Sequence, residues 1–173
     1  MAGLYCACVV SFGWRLEAVA AAVFCTLIVA LGLIDLEHLL LPDKLTLPGI
    51  LLGFALQPWI EGVSLVDAVI GALAGAGLLI LMINFWYWAR EEEGMGLGDV
   101  NLMALIGAFL GWKGVVLALF VGALAGAVFG LTLMAARRLN LASKLPFGTF
   151  LAIGALFALF SQGRFVDAYL ELL

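Results

Sequence analysis

The chain has 173 residues, of which 66% are apolar and 12% charged, with a formal net charge of −4. Soluble domains carry roughly 25% charged residues. With so few polar side chains and a mean hydropathy of +1.22, a water-soluble fold cannot cover its own surface, so the lipid bilayer is the solvent. An acidic balance with a pI near 4.8 also excludes nucleic acid as a partner, which needs a basic face.

In chain order, apolar stretches are predicted near 2–12, 17–35, 46–60, 65–88, 99–112, 113–136 and 147–161. At about 20 residues per crossing, they predict an all-α, polytopic membrane helix bundle of about six to seven spans, with no separate soluble domain. The first stretch lacks a basic leading region and reads as part of a span, not as a cleavable signal. It and the other short stretches are expected to be tilted, to start within the interface or, for the first, to have lost residues upstream. Cys6, Cys8 and Cys25 lie in apolar sequence without a C-x-x-C pair, which predicts neither a disulfide nor a zinc site. Gly71-Ala72-Leu73-Ala74-Gly75 and Gly122-Ala123-Leu124-Ala125-Gly126 space small residues as closely approaching membrane helices do.

Most polar residues fall in the connections 36–45, 89–98 and 137–146, which, being alternate connections, emerge on one side. Lys44, Arg90, Arg137, Arg138 and Lys144 belong to that side, and Arg15, Lys113 and Arg164 to the other. The positive bias assigns the polar connections to the cytoplasm.

Two acidic positions stand out. Asp35 ends a long apolar helix, and Asp99 begins another just after a glycine-rich turn. Ionisable groups at membrane depth are costly and are functional candidates by default. Asp99 could simply favour the positive end of its helix, but Asp35 meets the negative end of its own, a placement that needs a local partner or a use. Two neighbouring carboxylates share a proton, and such a pair can activate water while protonating a carbonyl. That chemistry requires no metal and no other cofactor.

The residues around them admit local readings. Gly94, Gly96 and Gly98 permit left-handed turns and let a substrate backbone approach Asp99; their loop is expected to move to admit a substrate whose helix must unwind before cleavage. Glu91, Glu92 and Glu93 read as a solvated loop, or more sharply as an electrostatic guide for a basic segment. Asp43 after Pro42 reads as a helix N-cap. Glu37 and His38 read as solvated or hydrogen-bonding residues, and less readily as metal ligands beside the aspartates. Pro146, Phe147 and Gly148 read as a helix start, and Trp86, Tyr87 and Trp88 as an interfacial belt.

Ile34-Asp35 through Leu41-Pro42-Asp43-Lys44-Leu45-Thr46, followed by Gly96-Leu97-Gly98-Asp99, Gly111-Trp112 and Leu145-Pro146-Phe147-Gly148, resembles the type IV prepilin leader peptidases from about residue 17 to 161. Gly-x-Gly-Asp alone also marks the presenilin and signal-peptide-peptidase group; the combination in this order is specific. The resemblance implies an intramembrane aspartyl endopeptidase of the bacterial inner (plasma) membrane with Asp35 and Asp99 as its catalytic dyad. It implies prepilins of type IV pili or pseudopilins of type II secretion as substrates, cleaved on the cytoplasmic side, and a site shaped in part by Pro146, Phe147 and Gly148. Bacterial members usually carry an upstream region with paired cysteines linked to N-methylation, which Cys6-Ala7-Cys8 does not match. The expectation is therefore a single transmembrane peptidase domain over 1–173, without that region and without methyltransferase activity. Nothing in the sequence specifies an oligomeric state. The rival class is a small ion-coupled membrane transporter, whose carboxylates and broken glycine-rich helices look similar. Clustering at one interface and the lack of an inverted repeat weigh against it, and the intact aspartates weigh against an inactive scaffold.

Overall fold

The structure, a computed structural model, describes residues 1–13, 15–60, 62–90, 96–135 and 146–161. Its elements are α1 (Ala2–Phe12), α2 (Leu16–His38), α3 (Asp43–Leu56), a 3-10 turn (Gln57–Trp59), α4 (Leu65–Arg90), α5 (Leu97–Ala135) and α6 (Phe147–Ser161), with no strand among the described residues. α5 is broken at Gly111, whose φ of 66° and ψ of −174° interrupt the helix. Only glycine adopts that conformation without strain, so residues 97–110 and 112–135 are separate arms, as the predicted boundary at 112/113 requires. With the two arms counted apart, helices occupy all seven predicted stretches. α2, residues 65–85 of α4, and α5 are long and apolar enough to cross a membrane, while α1 and α6 are shorter apolar helices.

Local chemistry sets several ends. The Ser64 hydroxyl accepts from the Asp67 amide at 3.0 Å, while the Asp67 carboxylate accepts from the Ser64 amide and hydroxyl, a reciprocal cap that starts α4. α2 runs past its predicted end at residue 35, so Asp35 lies within the last turn. The helix closes at Leu39, a left-handed residue (φ 52°) whose amide donates to the Asp35 carbonyl at 2.8 Å.

The first arm of α5 runs through the core. Leu102, Met103, Leu105, Ile106 and Phe109 are buried in one cluster with Phe24, Ile28 and Leu31 of α2, Leu79 of α4 and Leu151 of α6. Glycines let the backbones touch, as the small-residue spacing predicts. A Cβ on Gly107 would collide with the backbone of Gly71 and Ala72, one on Gly71 would stand 2.5 Å from the Gly111 carbonyl carbon, and one on Gly122 would stand 2.9 Å from the Phe150 carbonyl oxygen. Gly126 makes only ordinary contact with Phe150. Gly107→Val is therefore expected to destabilise the bundle by at least about 2 kcal/mol, since backbone on the facing helix cannot yield as a side-chain tip can. Gly77→Ala, where an added Cβ meets nothing within 4 Å, should be neutral or slightly stabilising. Thermal unfolding in detergent distinguishes the two.

α2 and the first arm of α5 run in opposite directions between two ends. At one end, the tail of α2, the start of α5 and the start of α6 converge. At the other is a cleft of about 520 Å³ whose lining includes Arg15, Glu17, Asp67, Trp112 and Lys113. Arg15 and Lys113 thus lie at the end opposite Asp35 and Asp99, as the alternation of connections predicts.

Candidate active site

Asp35, in the last turn of α2, is 5% exposed, and Asp99, in the first turn of α5, is 8% exposed; they are the only carboxylates buried among the described residues. They lie within electrostatic reach of each other. Leu41, in the connection between α2 and α3, sits beside two glycines that border the pair. A Cβ on Gly98 would stand 2.7 Å from Cβ of Leu41; one on Gly148 would stand 2.9 Å both from Cδ1 of Leu41 and from Oδ2 of Asp35.

The local partner that Asp35 needs comes from α6. The Thr149 amide donates to Oδ2 of Asp35 at 2.8 Å. The Thr149 hydroxyl lies 3.2 Å from the same oxygen and 2.9 Å from the Gly32 carbonyl oxygen. An amide in the first turn of a helix has no partner within that helix, so Asp35 caps α6 from another helix, and the positive end of α6 offsets the negative end of α2. Asp99 has its own helix start, with its amide donating to the Gly96 carbonyl at 3.2 Å. Two acids at the meeting point of three helix ends can share a proton beside a reacting carbonyl.

Several expectations are corrected here. Asp43 is not an N-cap: Pro42 occupies that position without a side-chain cap bond. The Asp43 Oδ1 instead accepts from Nδ2 of Asn101 at 2.8 Å, tying the start of α3 to the helix that carries Asp99. Gly96 and Gly98 are not left-handed, since the positive-φ glycines of the described residues are Gly13, Gly62 and Gly111. Gly98 is instead a close-packing position inside α5, with room only for hydrogen against Leu41. Glu37 and His38 are exposed side chains 3.9 Å apart, and no metal-holding group of three His, Cys, Asp or Glu residues forms among the described residues. Pro146 directly precedes α6 and Phe147 begins it, as a helix start requires, while Gly148 is also in contact with Asp35. Glu91, Glu92, Glu93 and Gly94 lie outside the described residues.

Thr149 and Asn101 carry no signal in the sequence that singles them out, and Leu41 enters only as part of the quoted run Leu41-Pro42-Asp43. Thr149 follows the quoted Pro146-Phe147-Gly148, but a threonine in an apolar helix more often bonds back to its own turn, and nothing local marks it otherwise.

The model of the type IV leader peptidase family matches residues 22–131, a span that contains Asp35, Gly98 and Asp99 but not α6. The chain is 43% identical over 152 residues to a prepilin leader peptidase/N-methyltransferase of Aeromonas salmonicida, covering 85% of this chain and 50% of that protein. Proteins of the same description match from Burkholderia pseudomallei (39% identical, 86% of this chain, 48% of that protein) and Pseudomonas aeruginosa (35%, 92% and 55%). The chain therefore spans about half the length of these relatives. No solved structure matches it.

Proposed function

Because the chain belongs to the type IV leader peptidase family, we propose that it is a membrane aspartic endopeptidase that removes leader peptides from type IV prepilins or type II secretion pseudopilins, with Asp35 and Asp99 as its catalytic dyad. The observation that carries this reading is the burial of these two carboxylates together at one end of an otherwise apolar bundle. With one proton between them, one carboxylate takes a proton from water as the water oxygen attacks the scissile carbonyl carbon, and the other protonates the carbonyl oxygen. Collapse of the gem-diol breaks the C–N bond, the first acid gives its proton to the departing nitrogen, and the second regains its own from the diol. The proton count closes.

The reading covers the peptidase half of the relatives' name alone, because a carboxylate pair is hydrolytic chemistry. It puts the dyad at the cytoplasmic face of a multi-pass inner-membrane protein, a reading supported by the sequence bias of Lys44, Arg90, Arg137, Arg138 and Lys144 on that side over Arg15, Lys113 and Arg164 on the other. The 1–173 region then acts as one transmembrane peptidase domain. Glu91, Glu92 and Glu93 closely precede Asp99 in sequence, where their charge would draw a basic leader toward it. Gly96 and Gly98 lead into the helix that carries Asp99, and Pro146, Phe147 and Gly148 lead into α6 beside Asp35. The ion-coupled transporter reading gains no support from a pair placed at the end of the bundle.

The test is cleavage of a purified prepilin in proteoliposomes by the unmodified chain and by variants of each aspartate. Asp43 gives a graded companion. Asp43→Asn keeps an acceptor oxygen for Asn101 and should retain cleavage within about threefold. Asp43→Ala frees Asn101 and should cost about tenfold, the size of one lost side-chain hydrogen bond to a charged group. Equal losses in both would show that the charge of Asp43 matters, not its bond.

A further inference from the structure

We propose that Thr149 makes the two carboxylates unequal, holding the shared negative charge on Asp35 and leaving the shared proton on Asp99, so that Asp35 is the base toward water and Asp99 the acid toward the scissile carbonyl. The catalytic assignment rests on the peptidase reading above; the placement of charge rests on geometry alone.

Oδ2 of Asp35 faces two donors on one residue, the Thr149 amide at 2.8 Å and its hydroxyl at 3.2 Å. The amide is fixed by the first turn of α6 and can only donate, so a proton on Oδ2 would confront it, and that oxygen is committed to accepting. The hydroxyl has one proton and two acceptors within reach, since the Gly32 carbonyl lies at 2.9 Å. A helix carbonyl already accepts from its own ladder, and an ionised carboxylate is the stronger acceptor. The hydroxyl therefore rotates toward Asp35 when that group is charged. Donors aimed at a carboxylate favour its ionised form.

Asp99 receives nothing comparable: among the described residues, no side chain donates to its carboxylate. Helix ends do not reverse the difference. α5 presents its positive end to Asp99 as α6 presents its own to Asp35, and the α2 terminus that opposes charge on Asp35 is offset at the point where Asp35 caps α6. Among the described residues, other ionisable groups do not compete. α6 has none between Phe147 and Ser161; Glu37 and His38 on α2 are exposed; on α3, Asp43 is engaged by Asn101 and Lys44 is exposed.

With Oδ2 held, Oδ1 of Asp35 is the working oxygen. It takes the proton of water as the C–O bond forms, and Asp99 gives its proton to the carbonyl oxygen. When the C–N bond breaks, the proton on Oδ1 goes to the nitrogen, and Asp99 is reprotonated from the diol. Thr149 touches no reacting atom and is a positioning residue.

The experiment uses the full chain in proteoliposomes with Thr149→Val, which keeps the shape and the amide but removes the hydroxyl, and Thr149→Ser, which restores it. Thr149→Ala repeats the first with a smaller side chain, and thermal melting confirms folding. For a prepilin substrate, the expected result is a kcat about tenfold lower in Thr149→Val with KM within about twofold, and recovery to within about threefold in Thr149→Ser. A second readout needs no catalysis. In an Asp99→Asn background, infrared titration with isotope-labelled aspartate, taken as the difference from the same protein carrying Asp35→Asn, follows the carboxyl of Asp35, and its midpoint should rise by about half a unit or more on Thr149→Val and not on Thr149→Ser. An unmoved midpoint in both the Val and Ala variants overturns the proposal whatever the activity. A moved midpoint in a protein that cleaves no prepilin leaves the charge on Asp35 and overturns the peptidase reading instead.

Discussion

Asp35→Asn and Asp99→Asn should each lower prepilin cleavage by at least about a thousandfold while leaving the helical bundle intact. An amide neither takes a proton from water nor gives one to a carbonyl oxygen, so each substitution removes one half of the acid–base cycle, and general acid–base groups contribute roughly 10²- to 10⁴-fold each. The shapes match, so packing is preserved. In Asp35→Asn the side-chain amide can still turn its oxygen toward the backbone N–H of Thr149. In Asp99→Asn a neutral amide takes the place of a buried acid that already holds the shared proton, so its desolvation adds little cost. Thermal stability should therefore hold or rise slightly. The check is mass-spectrometric detection of the released leader alongside circular dichroism of each variant. Undiminished cleavage by either folded variant would sink the dyad.

Gly148→Ala should cost about a hundredfold in kcat with KM little changed. Its Cβ would stand 2.9 Å from Oδ2 and 3.0 Å from Cγ of Asp35, inside any tolerable contact. Either the carboxylate rotates away or α6 retreats, and both lengthen the bond from the Thr149 amide. A displacement of about 1 Å at a catalytic group is enough for a loss of that size. The rest of α6 packs through Leu151, Ala152 and Ala155, so the melting temperature should fall by only a few degrees. Steady-state kinetics beside Gly77→Ala as a packing control would decide it. Normal turnover in Gly148→Ala would mean that α6 is not seated against Asp35 during catalysis.

The two substitutions probe different layers of what is written in the chain. The aspartates are legible because a carboxylate in a run of apolar residues is conspicuous, and because one of them stands at the unfavourable end of its helix. The glycine against Asp35 belongs to a recognisable motif, yet its contact is invisible there. The bond from Thr149 to Asp35 spans 114 positions and that from Asn101 to Asp43 spans 58, and no local pattern encodes partners so far apart. Asp43 shows the same limit from the other side. Pro42-Asp43 is a reasonable capping signal, but a distant amide claims the carboxylate, and a tertiary hydrogen bond displaces the local one. Gly98 reads as a turn glycine and is helical, because a missing side chain serves a close contact as readily as an unusual backbone angle.

Composition and hydropathy were enough to establish the solvent, the helical secondary structure and the number of apolar segments. Those depend on windows of about 20 residues, which a bilayer reads one segment at a time. The alternation of connections further separated Arg15 and Lys113 from the two aspartates before any fold was known. Which helix end meets which carboxylate is a matter of docking alone. Within an apolar medium, helices find their neighbours through close packing and a few hydrogen bonds, and here Gly98, Gly148 and the amide of Thr149 select the approach. The asymmetry of the pair follows from that docking: one carboxylate caps a neighbouring helix, and the other begins its own.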